Sequence, residues 1–403
     1  MITDVKVKEI DDSARYLYPN RRIEIKTSGR PIITPIRAAT SYEYKEKAKV
    51  PTDITIDNPV SISVENLNHS RFEKFMQTNS YFTKLMGRIE LNDRLAQYSD
   101  LKLVLLRPTV TPKRDPRTKE IIKDSPMSLL RNNANLRDRF IRFIIKLQLD
   151  LDLNPITIPY IELPFQIFQD VSFQIARSLE QINRQPLFFV DMKYKEFESA
   201  IDWIANQIQS NAIGLYYRPF RTAPVNYDIL SRYVDKDIAF ISAQIRRYDP
   251  TYYDISTMHY LPFLGNDIYA VSTPSPFFTR DTGSRTRLRD RLQSIRLFDK
   301  NSLCLNQVRL ASTTIDELIY EYRDDSVITN ILRNYHEANE DADKLKVLRA
   351  FSKISELKDS SSEFIRLQDF VRQNSTRDYL QEKQVLQRTL QEVTGSQSKL
   401  NRI

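Results

Sequence analysis

The sequence predicts an α/β protein, a (β/α)8 barrel of the TIM type followed by a C-terminal helical appendage. From about residue 129 onward, short apolar runs alternate with amphipathic segments of helix length, an order typical of parallel βαβ units. Eight runs along the chain have strand character, which is the number that closes such a barrel. After residue 310 the alternation stops and helix formers predominate, which predicts the appendage.

The predicted barrel strands are apolar runs bounded by polar or turn residues. They lie at 31–36, 101–106, 155–162, 186–190, 212–217, 238–244, 267–271 and 302–305. Helices are predicted between them at 129–149, 165–182, 197–209 and 227–234. Residues 50–98 contain two short β-like runs and a helix, and we predict that they form an insertion outside the repeat.

Three regions follow from this pattern: an N-terminal arm at 1–28, the barrel at 29–310 and the helical appendage at 311–403. The arm is charged and lacks a sustained period, which fits an irregular arm, a short capping hairpin or a disordered terminus. We expect the appendage to cover the barrel or to pair with a second subunit, either another copy or a paralogue. The charged start shows no signal peptide and no run spans a membrane, so we expect a cytoplasmic protein without membrane binding.

Composition argues against metal and nucleotide cofactors. The chain has one cysteine, Cys304, and three histidines that are far apart, which excludes an internal disulfide and a cysteine-cluster zinc site. Only six glycines occur, so glycine-rich loops that cradle phosphates are absent. We therefore expect no metal and no cofactor.

The charge balance permits a nucleic-acid partner. Sixty Lys and Arg against 52 Asp and Glu give a net charge of +8. The excess is concentrated in what we call the arginine segment, whose cations are Arg280, Arg285, Arg287, Arg289, Arg291 and Arg296. We predict that this segment contacts phosphates; the alternative is a solvated loop whose arginines pair with nearby acids.

In a β/α barrel the functional site lies at the carboxyl ends of the strands. The predicted substrate-binding residues at these ends are Arg37, Arg107, Arg218, Gln244 and Ser272. We predict that Glu162 and Asp191 are catalytic, because each carboxylate follows an apolar run in which an unpartnered charge would be costly. The alternatives are structural salt bridges to Arg107 or Arg218, or strand ends that simply reach solvent.

Several residues near the end of the predicted barrel carry a resemblance to a known family. They are Gly265, Asp267, Ile268, Tyr269, Pro274, Arg280, Gly283 and the run that begins at Ile295, together with the early pair Thr34 and Pro35. In this pattern the chain resembles the tRNA-guanine transglycosylases, including relatives that act on 7-deazaguanine in DNA. The resemblance implies that the Glu162 carboxylate accepts hydrogen bonds from the ring N–H and amino groups of guanine.

Two family features are replaced in this chain. Ala270 stands where the resemblance would place the nucleophilic Asp, and Cys304 alone remains of the expected zinc cysteines. Base exchange at a glycosidic bond needs a carboxylate that attacks the anomeric carbon and a second group that handles protons. Asp191 and Glu162 are the candidates for these roles.

The predicted function is therefore base exchange on guanine or 7-deazaguanine in tRNA or DNA, the reaction of a pentosyltransferase. Two alternatives stay open. The barrel could be inactive and bind nucleic acid or a catalytic paralogue, or it could be an enzyme for a small anionic metabolite.

Overall fold

The computed structural model describes residues 2–14, 19–41, 43, 57–77, 79–96, 98–219, 222–248, 255–272, 294–310 and 314–400. The strands are β1 (Ile2–Asp11), β2 (Asn20–Thr27), β3 (Ile32–Ile33), β4 (Ile36–Arg37), β5 (Ala39–Thr40), β6 (Val60–Leu67), β7 (Leu101–Pro108), β8 (Lys113–Arg114), β9 (Ile121–Lys123), β10 (Ile156–Ile158), β11 (Pro186–Asp191), β12 (Ala212–Tyr216), β13 (Ala239–Ile245), β14 (Ile268–Val271), β15 (Ser294–Asp299) and β16 (Cys304–Arg309).

The helices are α1 (His69–Gln77), α2 (Asn79–Leu95), α3 (Pro126–Asn132), α4 (Ala134–Asp150), α5 (Phe165–Glu180), α6 (Phe197–Asp202), α7 (Pro224–Ser231), α8 (Ile315–Glu321), α9 (Ser326–Glu337), α10 (Asp341–Arg372), α11 (Thr376–Glu382) and α12 (Gln384–Leu400). A π-helical turn (Trp203–Gln207) continues α6. Two short 3-10 turns precede β14. Among the described helices, none is long and apolar enough to cross a membrane.

Two parallel sheets form the centre of the molecule. One has six strands in the order β10-β11-β12-β13-β14-β4, and the other has three in the order β5-β6-β7. Only Ala38 separates β4 from β5, and its amide donates to the Tyr269 carbonyl at 2.8 Å. The two sheets are thus joined through one stretch of chain, and the carboxyl ends of all nine strands point the same way.

Sequence explains why the central strands pair in parallel. The strands β11 to β14 are buried along most of their length on both faces, as expected when helices cover a parallel sheet. Gly214 in β12 pairs with Phe189 in β11, and a Cβ at Gly214 would lie 2.5 Å from the Phe189 ring. The large ring therefore needs a glycine beside it on the neighbouring strand.

Six of the eight predicted runs are strands of the parallel sheets, and three assignments differ from the prediction, those of residues 31–36, 60–67 and 302–305. Residues 60–67, predicted as part of an insertion, form the parallel strand β6 between β5 and β7. Its alternation of serines with apolar residues is typical of a half-solvated strand, yet Ser61 and Ser63 are buried. The run 302–305 instead belongs to β16, which pairs antiparallel with β15 outside the parallel sheets.

The start of the chain also differs from the prediction. The run 31–36 contributes β3 to an antiparallel sheet with β1 and β2, and the parallel strand β4 begins only at Ile36. Of the three alternatives for the N-terminal arm, the structure has the hairpin, formed by β1 and β2. Arg21 on β2 pairs with Asp267 just before β14 at 2.7 Å, which fixes the hairpin to the amino ends of the strands.

Side chains link the two parallel sheets where β7 and β10 approach each other. The Thr157 hydroxyl on β10 donates to the Val104 carbonyl on β7. The Gln148 amide, from α4, accepts from the Thr157 amide at 2.8 Å and donates to the Thr157 carbonyl at 2.9 Å. Gln148 thus satisfies backbone groups that a neighbouring strand would otherwise pair.

The C-terminal helices divide between two apolar clusters. Helices α8 and α9 pack with the first part of α10 and with β15 in a cluster that contains Ile331 and Phe351. The second part of α10, with α11 and α12, belongs to the main core, where the Phe364 ring stacks on Tyr269 of β14 at 5.0 Å. A region predicted as an appendage therefore supplies a helix that covers the parallel sheet.

Candidate functional site

Polar side chains from strands far apart in the chain meet at the carboxyl ends of the strands. We call them the carboxyl-end cluster, which consists of Asn66, Arg107, Asp191, Tyr216, Arg218 and Gln244. Four of these six, all except Asn66 and Tyr216, are residues that the sequence predicts at strand ends.

The first half of the cluster is a hydrogen-bonded chain of three side chains. The Arg107 guanidinium, at the end of β7, donates through Nη1 to the Gln244 Oε1. Gln244 Nε2 then donates to Asn66 Oδ1 on β6 at 3.1 Å. Gln244 has a φ of 64° and lies where the register between β13 and β14 shifts, so an irregularity in the strand directs its amide toward these partners.

Tyr216 lies between the two halves of the cluster. The Arg107 guanidinium stacks over the Tyr216 ring, 5.2 Å from its centroid. Tyr216 is 2% exposed, and its hydroxyl donates to no group of the described residues. Burial lowers the pKa of Arg107 and raises the pKa of Tyr216. The hydroxyl is therefore a neutral donor that a bound ligand could use.

The second half of the cluster is an ion pair between neighbouring strands. Arg218, two residues after β12, donates from Nε to Asp191 Oδ1 at 2.8 Å and from Nη2 to Asp191 Oδ2. Asp191 ends β11, is 7% exposed and also accepts from the Lys193 amide at 2.9 Å. The hydrogen bond to Asp191 raises the pKa of Arg218. This is one of the salt bridges that the sequence suggests as an alternative to catalysis.

Glu162 lies outside this cluster. Strand β10 ends at Ile158, so Glu162 falls in the following loop and not at the end of a buried strand. Its side chain is 57% exposed, and Arg131 Nη1 lies 3.5 Å from its carboxylate. Tyr160, in the same loop, is buried, and its pKa is raised by burial and by the charges of Asp191 and Glu162.

Arg37 faces the other side of the sheet. Arg37 pairs in register with Tyr269 on β14, and Tyr269 pairs with Ser242 on β13. The next residue of β13, Ala243, pairs with Tyr216. Since successive strand residues point to opposite faces, Arg37 points away from Tyr216. The prediction that Arg37 lies with the other strand-end residues is therefore wrong.

Helix α10 covers Arg37, which is 1% exposed. Its guanidinium donates to Ser360 Oγ and to Glu43 Oε1 at 2.7 and 2.8 Å. Glu356 lies 3.8 Å from the same guanidinium and accepts from Arg247. These residues form a buried charged cluster between β4 and α10, and their role here is to attach the helix to the strand.

The remaining predicted residues lie at or beyond the last parallel strand. Ser272 is half-buried just after β14, and its amide donates to the Ile245 carbonyl at 2.7 Å. Arg296 lies on β15 with its guanidinium 4.2 Å from the centroid of the Tyr248 ring. The other five cations of the arginine segment lie outside the described residues, namely Arg280, Arg285, Arg287, Arg289 and Arg291.

Sequence reasoning missed Asn66 and Tyr216. Asn66 lies near the end of β6, so the rule that polar residues end apolar runs would have found it had that strand been recognised. Tyr216 ends the run 212–216, and its ring gives no signal of polarity in the sequence. Only the pairing of β11 with β12 places it opposite Asp191.

Within the described part of the chain, no group of three or more His, Cys, Asp or Glu could hold a metal ion. His336 contacts Asp316 at 3.1 Å on the surface. His259 is buried between the rings of Phe298 and Phe364, whose centroids lie 4.9 and 4.7 Å from its own.

A scan of protein-family models and a search of curated proteins found no match to this chain. The resemblance to the transglycosylases therefore rests on the residues named above, from Thr34 to the run that begins at Ile295.

Proposed function

We propose that the two parallel sheets close into one (β/α)8 barrel, in which β4 and β5 together form one of the eight strands, and that its carboxyl-end cluster exchanges guanine or 7-deazaguanine bases in tRNA or DNA. Two contacts support closure. Arg107 on β7 reaches Gln244 on β13, although these strands belong to different sheets. The Thr157 hydroxyl bonds Val104 across the remaining edge. A closed barrel brings strands from opposite sides of the ring toward one interior.

The observation that carries the functional proposal is the convergence of a carboxylate, two guanidiniums and two amides at one end of the strands. In parallel β/α folds this end carries the active site. A guanine-type base presents ring N–H and amino donors beside carbonyl and ring-nitrogen acceptors. The amides of Asn66 and Gln244 can both donate and accept, so they match such an edge.

Asp191 is the proposed nucleophile. Its Oδ1 accepts from Arg218 and from the Lys193 amide, whereas its Oδ2 accepts only from Arg218 among the described residues. A lone pair on Oδ2 would attack the anomeric carbon, the bond from that carbon to the base nitrogen would break, and the departing base would take up a proton from solvent water. The incoming base reverses these steps and releases the carboxylate.

A second candidate function is binding without catalysis, to nucleic acid or to a catalytic paralogue, with pairing through the C-terminal helices. Two observations favour it. Arg218 holds both oxygens of Asp191, and Ala270 lies where the resemblance would place the nucleophile. The proposed location is the cytoplasm, on the sequence argument given above, and the cations of the arginine segment would contact phosphates in either case.

Exchange of labelled guanine into tRNA and duplex DNA tests catalysis directly. We expect Asp191→Asn to lower the exchange rate by about a thousandfold, because the amide cannot form the covalent intermediate. The matched control is Glu162→Gln, which makes the same change at an exposed carboxylate and should leave the rate within about twofold. An Asp191→Asn variant that still exchanges base would refute the nucleophile. Wild-type protein that binds nucleic acid without exchange would favour the second candidate.

A further inference from the structure

The segment between β7 and α3 contains an exposed hairpin. We call residues 113–123 the rim hairpin; they comprise β8, β9 and the turn between them. The hairpin follows β7, whose Arg107 belongs to the cluster. The chain returns to the body at Ser125, whose side chain caps α3 by accepting from the Ser128 amide at 3.1 Å. Both ends of the hairpin are thus fixed at the carboxyl end of the strands.

The turn of the rim hairpin has a defined shape. The Asp115 amide donates to the Glu120 carbonyl at 2.8 Å, and the Asp115 carboxylate accepts from the amides of Arg117 and Thr118. These two amide donors lower the pKa of Asp115. Arg114 Nη1 donates to the Lys119 carbonyl at 2.8 Å, which links the two arms. The hairpin therefore holds its shape by its own hydrogen bonds.

Neither face of the hairpin packs on the rest of the described chain. Ile121 and Ile122 are 53% and 51% exposed. Ile121 pairs with Arg114, and Ile122 is the extra residue of a bulge between that pair and the pair of Lys113 with Lys123. Lys123 makes the contact with the body, an ion pair with Glu73 on α1 at 2.7 Å. Two adjacent exposed isoleucines on a projecting element point to a partner surface.

The hairpin carries an excess of positive charge. Five cations accompany the isoleucines, namely Lys113, Arg114, Arg117, Lys119 and Lys123, against the two acids Asp115 and Glu120. Cations beside an apolar wedge are the combination that inserts into a base stack while contacting the flanking phosphates.

We propose that the rim hairpin inserts Ile121 and Ile122 between stacked bases and so opens a nucleic-acid helix next to the carboxyl-end cluster. This inference rests on the proposed function, since a base inside a helix cannot reach a buried site until it leaves the stack. It also specifies the substrate class, which is a stacked helix and not a free base or an unstructured strand.

The test uses a DNA duplex with a fluorescent base analogue beside a central guanine, because the analogue becomes brighter when it unstacks. The variant is the full chain with Ile121→Ser and Ile122→Ser. The matched control is Ile182→Ser, which is 48% exposed and lies before β11, at the amino ends of the strands. We expect the wild type and the control to raise the fluorescence. The hairpin variant should bind a single strand as the wild type does but bind the duplex about tenfold more weakly, without the rise in fluorescence.

A second variant examines the cations. Lys113→Ala with Arg117→Ala should flatten the slope of log affinity against log salt by about 0.9 for each phosphate that is no longer neutralised. An unchanged fluorescence rise in the isoleucine variant overturns the inference. Binding of wild-type protein to vesicles of anionic phospholipid that depends on the two isoleucines, with no unstacking of the duplex, also overturns it.

Base exchange on the same duplex separates this inference from the proposed function. If the isoleucine variant exchanges base as fast as the wild type, the proposed role of the rim hairpin is refuted and the proposed catalytic activity is supported. If the duplex unstacks only when the isoleucines are present but no base is exchanged, the proposed role of the rim hairpin is supported and the proposed base exchange is refuted.

Discussion

The two ends of the parallel strands each contain an arginine that bonds both oxygens of an aspartate, but the two ion pairs differ in their surroundings. At the amino ends, the side chains of Arg21 and Asp267 are 3% and 1% exposed. Arg21 also donates to the carbonyls of Tyr233 and Ile238 at 2.6 and 2.8 Å, and Asp267 accepts from the Phe240 amide at 2.7 Å. This pair is closed and fully bonded.

At the carboxyl ends, the side chains of Asp191 and Arg218 are 10% and 26% exposed. Asp191 Oδ2 accepts from Arg218 alone among the described residues, and the neighbouring Tyr216 hydroxyl donates to none of them. Hydrogen-bonding capacity is thus left over at one end and used up at the other. The same ion-pair chemistry holds the fold together at the amino ends and leaves groups for a ligand at the carboxyl ends.

The connecting segments at the two ends of the parallel strands also differ in their charge. Among the described residues, the segments that follow the parallel strands carry ten Lys and Arg against six Asp and Glu, over residues 41, 43, 68, 109–125, 159–164, 192–196, 217–219, 222–223, 246–248, 255–256 and 272. The segments that precede the strands carry four Lys and Arg against six Asp and Glu, over residues 28–35, 57–59, 98–100, 151–155, 181–185, 208–211, 232–238 and 265–267. A polyanion would therefore be attracted to the carboxyl ends.

The largest loss of stability is expected from breaking the ion pair between Arg21 and Asp267. Asp267→Ala leaves the Arg21 guanidinium buried without its carboxylate, so we expect the free energy of unfolding to fall by about 3–5 kcal/mol. Urea denaturation monitored by circular dichroism measures this loss. The double substitution Arg21→Met with Asp267→Leu removes both charges and should recover much of the stability. A loss below about 1 kcal/mol for Asp267→Ala would show that the pair is not structural.

A buried lysine should produce an intermediate effect that depends on pH. Burial on α10 lowers the pKa of Lys353 from 10.5 to about 7, although Glu356 lies 3.9 Å away. Between these values the unfolded chain binds a proton that the folded chain does not. The free energy of unfolding should therefore rise with pH from about 7 to about 9.5, by a few kcal/mol.

Denaturation at several pH values in this window measures the slope, and Lys353→Met should flatten it. Above about pH 10 buried tyrosines such as Tyr269 oppose the trend, because burial raises their pKa. Stability that falls between about pH 7 and 9.5 would contradict a lowered pKa for Lys353.

The smallest effect on stability is expected from breaking the ion pair between Arg218 and Asp191. Arg218 is partly solvated, so Arg218→Met should lower the free energy of unfolding by only about 1 kcal/mol. The same variant should weaken nucleic-acid binding, since it removes one cation from the proposed site. A loss as large as that of Asp267→Ala would mean that the carboxyl-end pair is structural too. Parallel urea titrations of the two variants make this comparison.

Residues predicted from sequence lie close together in the structure where a strand ends in a polar residue after a long apolar run. Arg107, Asp191, Arg218 and Gln244 all meet this condition, and all lie in the carboxyl-end cluster. Glu162 lies outside this cluster because β10 is only three residues long, so the apolar loop that follows it looked like more strand. The β-like run at 60–64 was predicted but assigned to an insertion, because its serines mimic a solvated face, so β6 was not counted among the barrel strands.

The sequence by itself determined the alternation of helices and strands, the parallel pairing and the polar residues at the strand ends, because these depend on local apolar runs and on the residues that interrupt them. Tertiary structure decided on which face of the sheet each side chain lies. A strand buried on both sides has no periodicity that distinguishes interior from exterior, so the direction of Arg37 follows from its register with Tyr269 and from the helix α10 that covers it. Register depends on contacts with distant strands, and no local pattern records it.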